Sequence, residues 1–234
     1  MKRKVSLKEL IDLQHYKIDE MTVKTFHFNP FQVNTYVLHD ETKEAVIVDP
    51  GNYFDAENEK LLEYIETEEL AVQYVVNTHP HIDHVAGNKW CVEHFHCPVY
   101  IHEQAMKIYH QTHIYCTVMG MEMEPCPEPD KFLQEGDTLT FGKQSLKVFY
   151  TPGHADGSIC LYDESHKMVF VGDVLFAGSV GRTDLPTGSA PVLMQSIREK
   201  LMTLPDETTV FCGHEISTTI GYERLHNPFI NNLS

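Results

Sequence analysis

Four short β-type runs in this chain each end on a side chain able to hold a metal ion, and that coincidence limits the folds available to it more than any other feature. Val72-Gln73-Tyr74-Val75-Val76-Asn77-Thr78 runs into His79, His81, Asp83 and His84. Leu146 to Tyr150 continues through Thr151-Pro152-Gly153 to His154, Val169-Phe170-Val171-Gly172 delivers Asp173, and Val210-Phe211-Cys212-Gly213 delivers His214. Side chains placed just past strand ends sit on the rigid rim of a sheet, where a site gains precision. Glycines at 153, 172 and 213 are expected to let the backbone turn sharply at each rim position.

The donors are five histidines and two aspartates, with no thiolate among them. Such a nitrogen and oxygen set suits zinc, iron(II) or manganese. Seven donors exceed the roughly three or four that one tetrahedral ion takes, so two divalent ions with a shared carboxylate account for the set. The spacing H-x-H-x-D-H lets His79 and His81 face one ion while Asp83 and His84, at the start of the next helix, face a second. A metal lowers the pKa of bound water to about 7, so a hydroxide bridging two ions, oriented by Asp83, would attack a small-molecule substrate.

Around these segments the chain alternates strands and helices. Strand signals begin at Val23–Phe28, Asn34–Leu38 and Ala45–Val48, and return at 138–141, 145–150, 158–162, 168–171 and 210–212. Helices are expected after an Asp55 cap, with Leu61, Leu62 and Ile65 buried, over Val85–Phe95, and over Pro191–Leu204. The architecture implied is α/β, two packed sheets flanked by helices. Residues 1–22 read as an N-terminal extension with a short helix capped by Ser6, and 23–234 as the catalytic domain. The irregular stretch 102–130 reads as an excursion over the site, since long irregular segments in compact domains tend to be functional.

Composition excludes several function classes. Eighteen basic against 34 acidic side chains leave a formal charge of −16, which argues against a nucleic acid partner. No apolar run is long enough to span a membrane. The basic start lacks the apolar stretch of an export signal, so the six cysteines are expected to be reduced, mostly buried thiols in a cytoplasmic protein. A homo-oligomer is compatible with this composition.

Thr-His-Pro-His-Ile-Asp-His-Val-Ala-Gly at 78–87, Thr151-Pro152-Gly153-His154, Gly172-Asp173 and Gly213-His214 together resemble the metallo-β-lactamase superfamily. Pro127–Phe141, Gly181-Arg182-Thr183-Asp184 and Thr218–Phe229 look like the short, single-domain members of its glyoxalase II-like branch. The resemblance implies an αβ/βα four-layer sandwich, a first metal on His79, His81 and His154, a second on Asp83, His84 and His214, and Asp173 bridging them. Asp49, in Val48-Asp49-Pro50-Gly51, matches a residue that supports the metal histidines from behind. The activity implied is thioester hydrolysis of the hydroxyacylglutathione type. Two-domain members add a C-terminal glutathione-binding domain, whereas this chain ends 20 residues after His214. The alternative is a persulfide dioxygenase with one iron on His79, His154 and Asp173; lactonase or other ester and amide hydrolysis fits the Arg182 region less well.

Further residues admit two readings. Arg182 and Asp184 either meet an acidic substrate group and order the metal shell, or pair with each other to fix a loop. Cys91, His94, His96 and Cys97 are expected to be packing and surface residues rather than a structural zinc site. His102, His110 and His113 lie in the excursion, one of them within reach of the cleft, and Tyr109 and Tyr115 read as packing residues.

Overall fold

The computed structural model describes residues 15–18 and 21–231. Its strands are β1 (His15–Ile18), β2 (Met21–Phe28), β3 (Val33–Asp40), β4 (Glu44–Val48), β5 (Ala71–Val76), β6 (Val99–His102), β7 (Lys131–Leu133), β8 (Thr138–Phe141), β9 (Gln144–Tyr150), β10 (Ile159–Asp163), β11 (Met168–Gly172), β12 (Leu175–Phe176), β13 (Ser179–Val180), β14 (Thr209–Cys212) and β15 (Thr218–Thr219). The helices are α1 (Asp55–Thr67), α2 (Ile82–Val85), α3 (Asn88–Phe95), α4 (Met106–Tyr109), α5 (Thr112–Val118), α6 (Ala190–Ser196), α7 (Ile220–His226) and α8 (Pro228–Asn231). Among the described residues β1 to β7 form one mixed sheet in sequence order, and a second runs β15-β14-β11-β10-β9-β8.

Alternation along single strands separates the layers. In β4, Val46 and Val48 enter the core between the sheets while Ala45 and Ile47 face α1 and α3; in β11, Met168 and Phe170 point inward while Val169 and Val171 meet α6. A strand that is apolar on both faces needs a cover on both. Leu61 and Ile65 of α1 cover the first sheet, and Leu193 of α6 with Ile197 and Leu201 of the turn behind it covers the second. The four layers are helix, sheet, sheet and helix, as the sequence pattern and the resemblance implied.

Several boundaries differ from expectation. Sheet pairing starts before residue 23: β1 pairs with β2, and β2 itself begins at Met21. The helix expected at Ser6 lies outside the described residues. Asp55 is the first residue of α1 and not its cap; Glu57 does the capping, accepting from the backbone N–H of Asn29, Tyr53 and Phe54. Leu62 is only half-buried. The helix expected over 85–95 breaks into α2 and α3 at Gly87, where a Cβ would meet Asn52 Oδ1 at 2.0 Å. The helix expected over 191–204 changes to a π-type turn at Ile197–Leu201.

Candidate metal centre

The four rim segments converge on one edge of the sandwich. β11 and β14 are parallel neighbours, so Asp173 and His214 emerge side by side, and His154 follows β9 in the same sheet. His79, His81, Asp83 and His84 follow β5 of the other sheet. Backbone bonds stitch the two sheets together here: Asn34 N–H donates to Gly213 O at 2.7 Å, and Ile159 N–H to Thr78 O at 2.8 Å.

Within that edge the donors fall into two groups, His79–His81–His154 and Asp83–His84–His214, each with donor atoms within 4.8 Å of one another. His154 Nε2 lies 2.9 Å from His81 Nδ1. His214 Nε2 lies 3.1 Å from Asp83 Oδ2 and 3.3 Å from His84 Nε2. Asp173 stands between the groups, with Oδ1 3.3 Å from His84 Nε2 and Oδ2 3.7 Å from His154 Nε2 and 3.6 Å from His214 Nε2.

Behind the donors, each ring's other nitrogen is held by an outer partner in four cases. His84 Nδ1 meets Asp49 Oδ2 at 2.9 Å, His154 Nδ1 the Arg182 carbonyl at 2.8 Å, His214 Nδ1 the Phe31 carbonyl at 3.1 Å, and His79 Nδ1 the Thr78 hydroxyl at 3.1 Å. Such contacts fix the ring and the tautomer that points inward. Asp49 also lies within donor range of His79 and His84. Its oxygens are already committed to Thr78 N–H at 2.6 Å, the Thr78 hydroxyl at 2.5 Å and His84, so it sits behind the cluster. Asp49 holds a left-handed backbone (φ 50°), a strained state for a non-glycine residue, fixed by the Thr35 hydroxyl on its carbonyl.

The rim glycines serve two different needs. Gly153 and Gly172 adopt positive φ, 125° and 50°, as the turn reading expects. Gly213 is not among the positive-φ residues; a Cβ there would lie 2.1 Å from Asp173 Oδ1, so closeness to the donor demands glycine.

Charge is divided within the cluster. Burial, assisted by the neighbouring imidazoles, holds His79 well below the ordinary histidine range; burial brings His81 down to about 4 and also lowers His154. Burial opposes the charge on His84 too, but Asp83, Asp173 and Asp49 outweigh it and raise it well above the usual value. His214 is raised by Asp83 and Asp173 against the same opposition. Burial pushes the two carboxyls upward and the imidazoles pull harder, so Asp83 and Asp173 stay ionised. One group of neutral imidazoles and one of carboxylates balanced by cations is a set ready to exchange protons for metal.

Two atoms test the fit. His79 Nε2 is buried with no hydrogen-bond partner, at a cost of about 1–3 kcal/mol if nothing binds it, and Asp173 Oδ1 is buried with only the 3.3 Å approach of His84 Nε2. Both aim into the cluster, and the hard nitrogen and oxygen donors suit divalent ions. The residues present fit a metal-binding His/Asp cluster, and the shared position of Asp173 supports two ions.

The cluster opens into a cleft of about 400 Å³ whose lining includes His81, Asp83, His154, Asp173 and His214. Arg182 lies at its edge, and its guanidinium grips Asp184 through two hydrogen bonds of 2.8 and 2.7 Å. Asp184 therefore meets Arg182 and no donor, while Arg182 serves the cluster through its carbonyl. That role was invisible in the sequence, since every residue has a carbonyl. Also missed was the clamp behind it. Buried Glu223 accepts from Gly178 N–H at 2.9 Å and the Thr218 hydroxyl at 2.6 Å, and Asn227 donates to Ser179 O at 2.9 Å. Together they seat the β12–β13 hairpin that leads from Asp173 to Arg182.

The other histidines and cysteines stay apart. His94 stacks on Trp90 at 4.1 Å, and Cys91 and Cys97 are buried in the outer core of the first sheet. His102 stacks on Tyr150 at 4.3 Å, and His110 pairs with Glu128 at 3.2 Å. Neither they nor His113 line the cleft. Tyr109 is a buried core residue, but Tyr115 lines the cleft. All six cysteines are unpaired, and burial raises their thiols, Cys97 and Cys126 to about 11 and Cys160 to about 12. No helix among the described residues is long and apolar enough to cross a membrane.

Known proteins are similar to this chain in sequence and fold. A family model described as the metallo-beta-lactamase superfamily matches residues 28–214. The protein named hydroxyacylglutathione hydrolase GloC of Haemophilus influenzae is 34% identical over 216 residues, which cover 92% of this chain and 100% of GloC. The crystal structure of BLEG-1 B3 metallo-beta-lactamase is 37% identical, with a TM-score of 0.80 over 89% of this chain and 99% of that one. TTHA1623 in a di-iron-bound form is 36% identical, with a TM-score of 0.80 over 88% of this chain and 98% of that one.

Proposed function

The chain belongs to the metallo-β-lactamase superfamily, and from that premise we propose that it is a cytoplasmic metallo-hydrolase acting on small-molecule thioesters, with the sandwich, whose first sheet reaches back from the expected start at residue 23 to β1, as its catalytic domain. The observation that carries this reading is the buried His79 Nε2, which has no hydrogen-bond partner, facing with the Asp173 carboxylate into two donor groups that open onto a substrate-sized cleft. His79, His81 and His154 would hold one divalent ion, Asp83, His84 and His214 the other, and Asp173 both. Zinc is the ion assigned first; iron and manganese suit the same donors.

When bound, the two ions supply a hydroxide at neutral pH and positive charge for an oxyanion or departing thiolate. The protein's own part is orientation. Asp83, ionised and lining the cleft, accepts a hydrogen bond from the attacking water and sets its direction. His84, backed by Asp49, and His154, backed by the Arg182 carbonyl, cannot rotate out of line. A thioester suits this site because a thiolate leaves without a proton donor. GloC, similar over its whole length, supports a glutathione thioester as the first substrate to try, and its alignment spans no more than this chain does.

Purified protein, assayed with S-lactoylglutathione and other thioesters, should release thiol in a metal-dependent reaction without consuming oxygen. Oxygen uptake with a glutathione persulfide, at one iron per chain, would replace this reading with the dioxygenase that uses only His79, His154 and Asp173.

A further inference from the structure

The donor cluster forms only the floor of the cleft. Ile108, Tyr115, Val118 and Met119 form one wall, and Leu185 stands among the other lining residues. This wall is unusually bare: Val118 is 82% exposed, Met119 59% and Tyr115 37%. Apolar side chains gathered on a surface mark a binding site more often than scattered ones do, and this patch continues down to the donors. Charge points the same way. Among the described residues lining the cleft, Arg182 is the one lysine or arginine, and Asp184 already holds its guanidinium. Glutathione carries two carboxylates, for which this lining offers no uncommitted lysine or arginine.

We infer that the α5 wall receives an apolar acyl chain, so that the site selects thioesters of longer aliphatic acids over short hydroxyacyl ones. The chemistry rests on the thioesterase reading above; the binding does not. Exposed Val118 and Met119 and the more buried His81 and Asp83 line the same cleft. A thioester carbonyl at the donors therefore places its chain along α5, out of water. Each methylene buried there is worth about 0.8 kcal/mol, or roughly a fourfold gain.

Two measurements on the metal-loaded protein test this. The first is calorimetric binding of unreactive S-alkyl thioethers of N-acetylcysteamine with two, four, six and eight carbons. Affinity should rise by about threefold to fourfold per added methylene, and Val118→Asp and Met119→Asp should flatten that slope. Both side chains are exposed, so the substitutions leave the core intact. The second is kcat/KM for acyl thioesters of the same lengths on N-acetylcysteamine and on glutathione, where the slope should follow chain length on either carrier. Length-independent binding, or a slope that both variants leave unchanged, overturns the inference. If the patch instead joins two copies of the chain, sedimentation will show the aspartate variants shifting from dimer to monomer with no change in chain-length slope, which also overturns it. Length-dependent binding without hydrolysis of any thioester would retain the inference and remove the thioesterase reading.

Discussion

The metal rim and the α5 wall meet in one cleft and are held by opposite physics. On the rim, side chains are buried, charged and fixed by named partners: Asp49 on His84, main-chain carbonyls on His154 and His214, and Asp173 between both groups. The wall is exposed and apolar, carried on short helices, with the Tyr115 hydroxyl donating to Gln111 at the start of its own helix. Preorganised polar groups suit a reaction that needs fixed charge. A bare apolar surface tolerates ligands of varied length. The rim accordingly sets chemistry, and the wall sets preference.

The strongest way to break this division is Asp173→Ala, which removes the cleft-lining carboxylate that lies close to His154 of one donor group and to His84 and His214 of the other. Metal content should fall below one ion per chain and activity by more than about 100-fold, beyond what losing an outer partner causes. Retention of two ions would show that the groups do not depend on a shared carboxylate. Asp49→Asn probes the outer partners: weakened support of His84 and Thr78 should reduce metal affinity by about 10- to 100-fold, measured by competition with a chelator.

Acid and base act differently on the metal-stripped rim. Histidines with depressed folded pKa values stabilise the fold above their unfolded value, and this is lost as pH falls. For His81 the window runs from 6.5 to about 4 and is worth on the order of 3 kcal/mol at most. His84 and His214 are raised, so their contribution is full below 6.5 and lost as pH rises through their folded values. The stripped protein should therefore be most stable near pH 6.5 in a denaturant titration; a steady rise across pH 4 to 9 would contradict this balance. The smallest effect is expected from Arg182→Ala. It breaks an exposed pair but keeps the carbonyl that holds His154, so metal content should stay the same. A loss of metal would give the side chain the role assigned to the backbone.

The rim was legible in the sequence because it is made of periodic strands that end on unusual residues. Short β-type runs in β4, β9, β10 and β11 marked the strands, and the glycine before His154, Asp173 and His214 marked the edge. What stayed hidden has no side-chain signature. The Phe31 and Arg182 carbonyls, the two-residue strands β12, β13 and β15, and the need for Gly213 all depend on atoms brought close from distant parts of the chain. Glu223 sits 50 residues from Asp173 and acts through Gly178, a link that spacing alone cannot display. The excursion over 102–130 was recognised by its irregularity, yet its contribution proved to be the apolar wall of α4 and α5 and none of its histidines.

Seven donors grouped around Asp173 call for two ions in one site. Elemental mass spectrometry of protein purified without added metal or chelator, set against protein concentration, counts them. Two divalent ions per chain, both lost together on chelation, are the expected result. A single ion at saturation, with Asp83, His84 and His214 replaceable without changing it, would mean that the second donor group holds no metal.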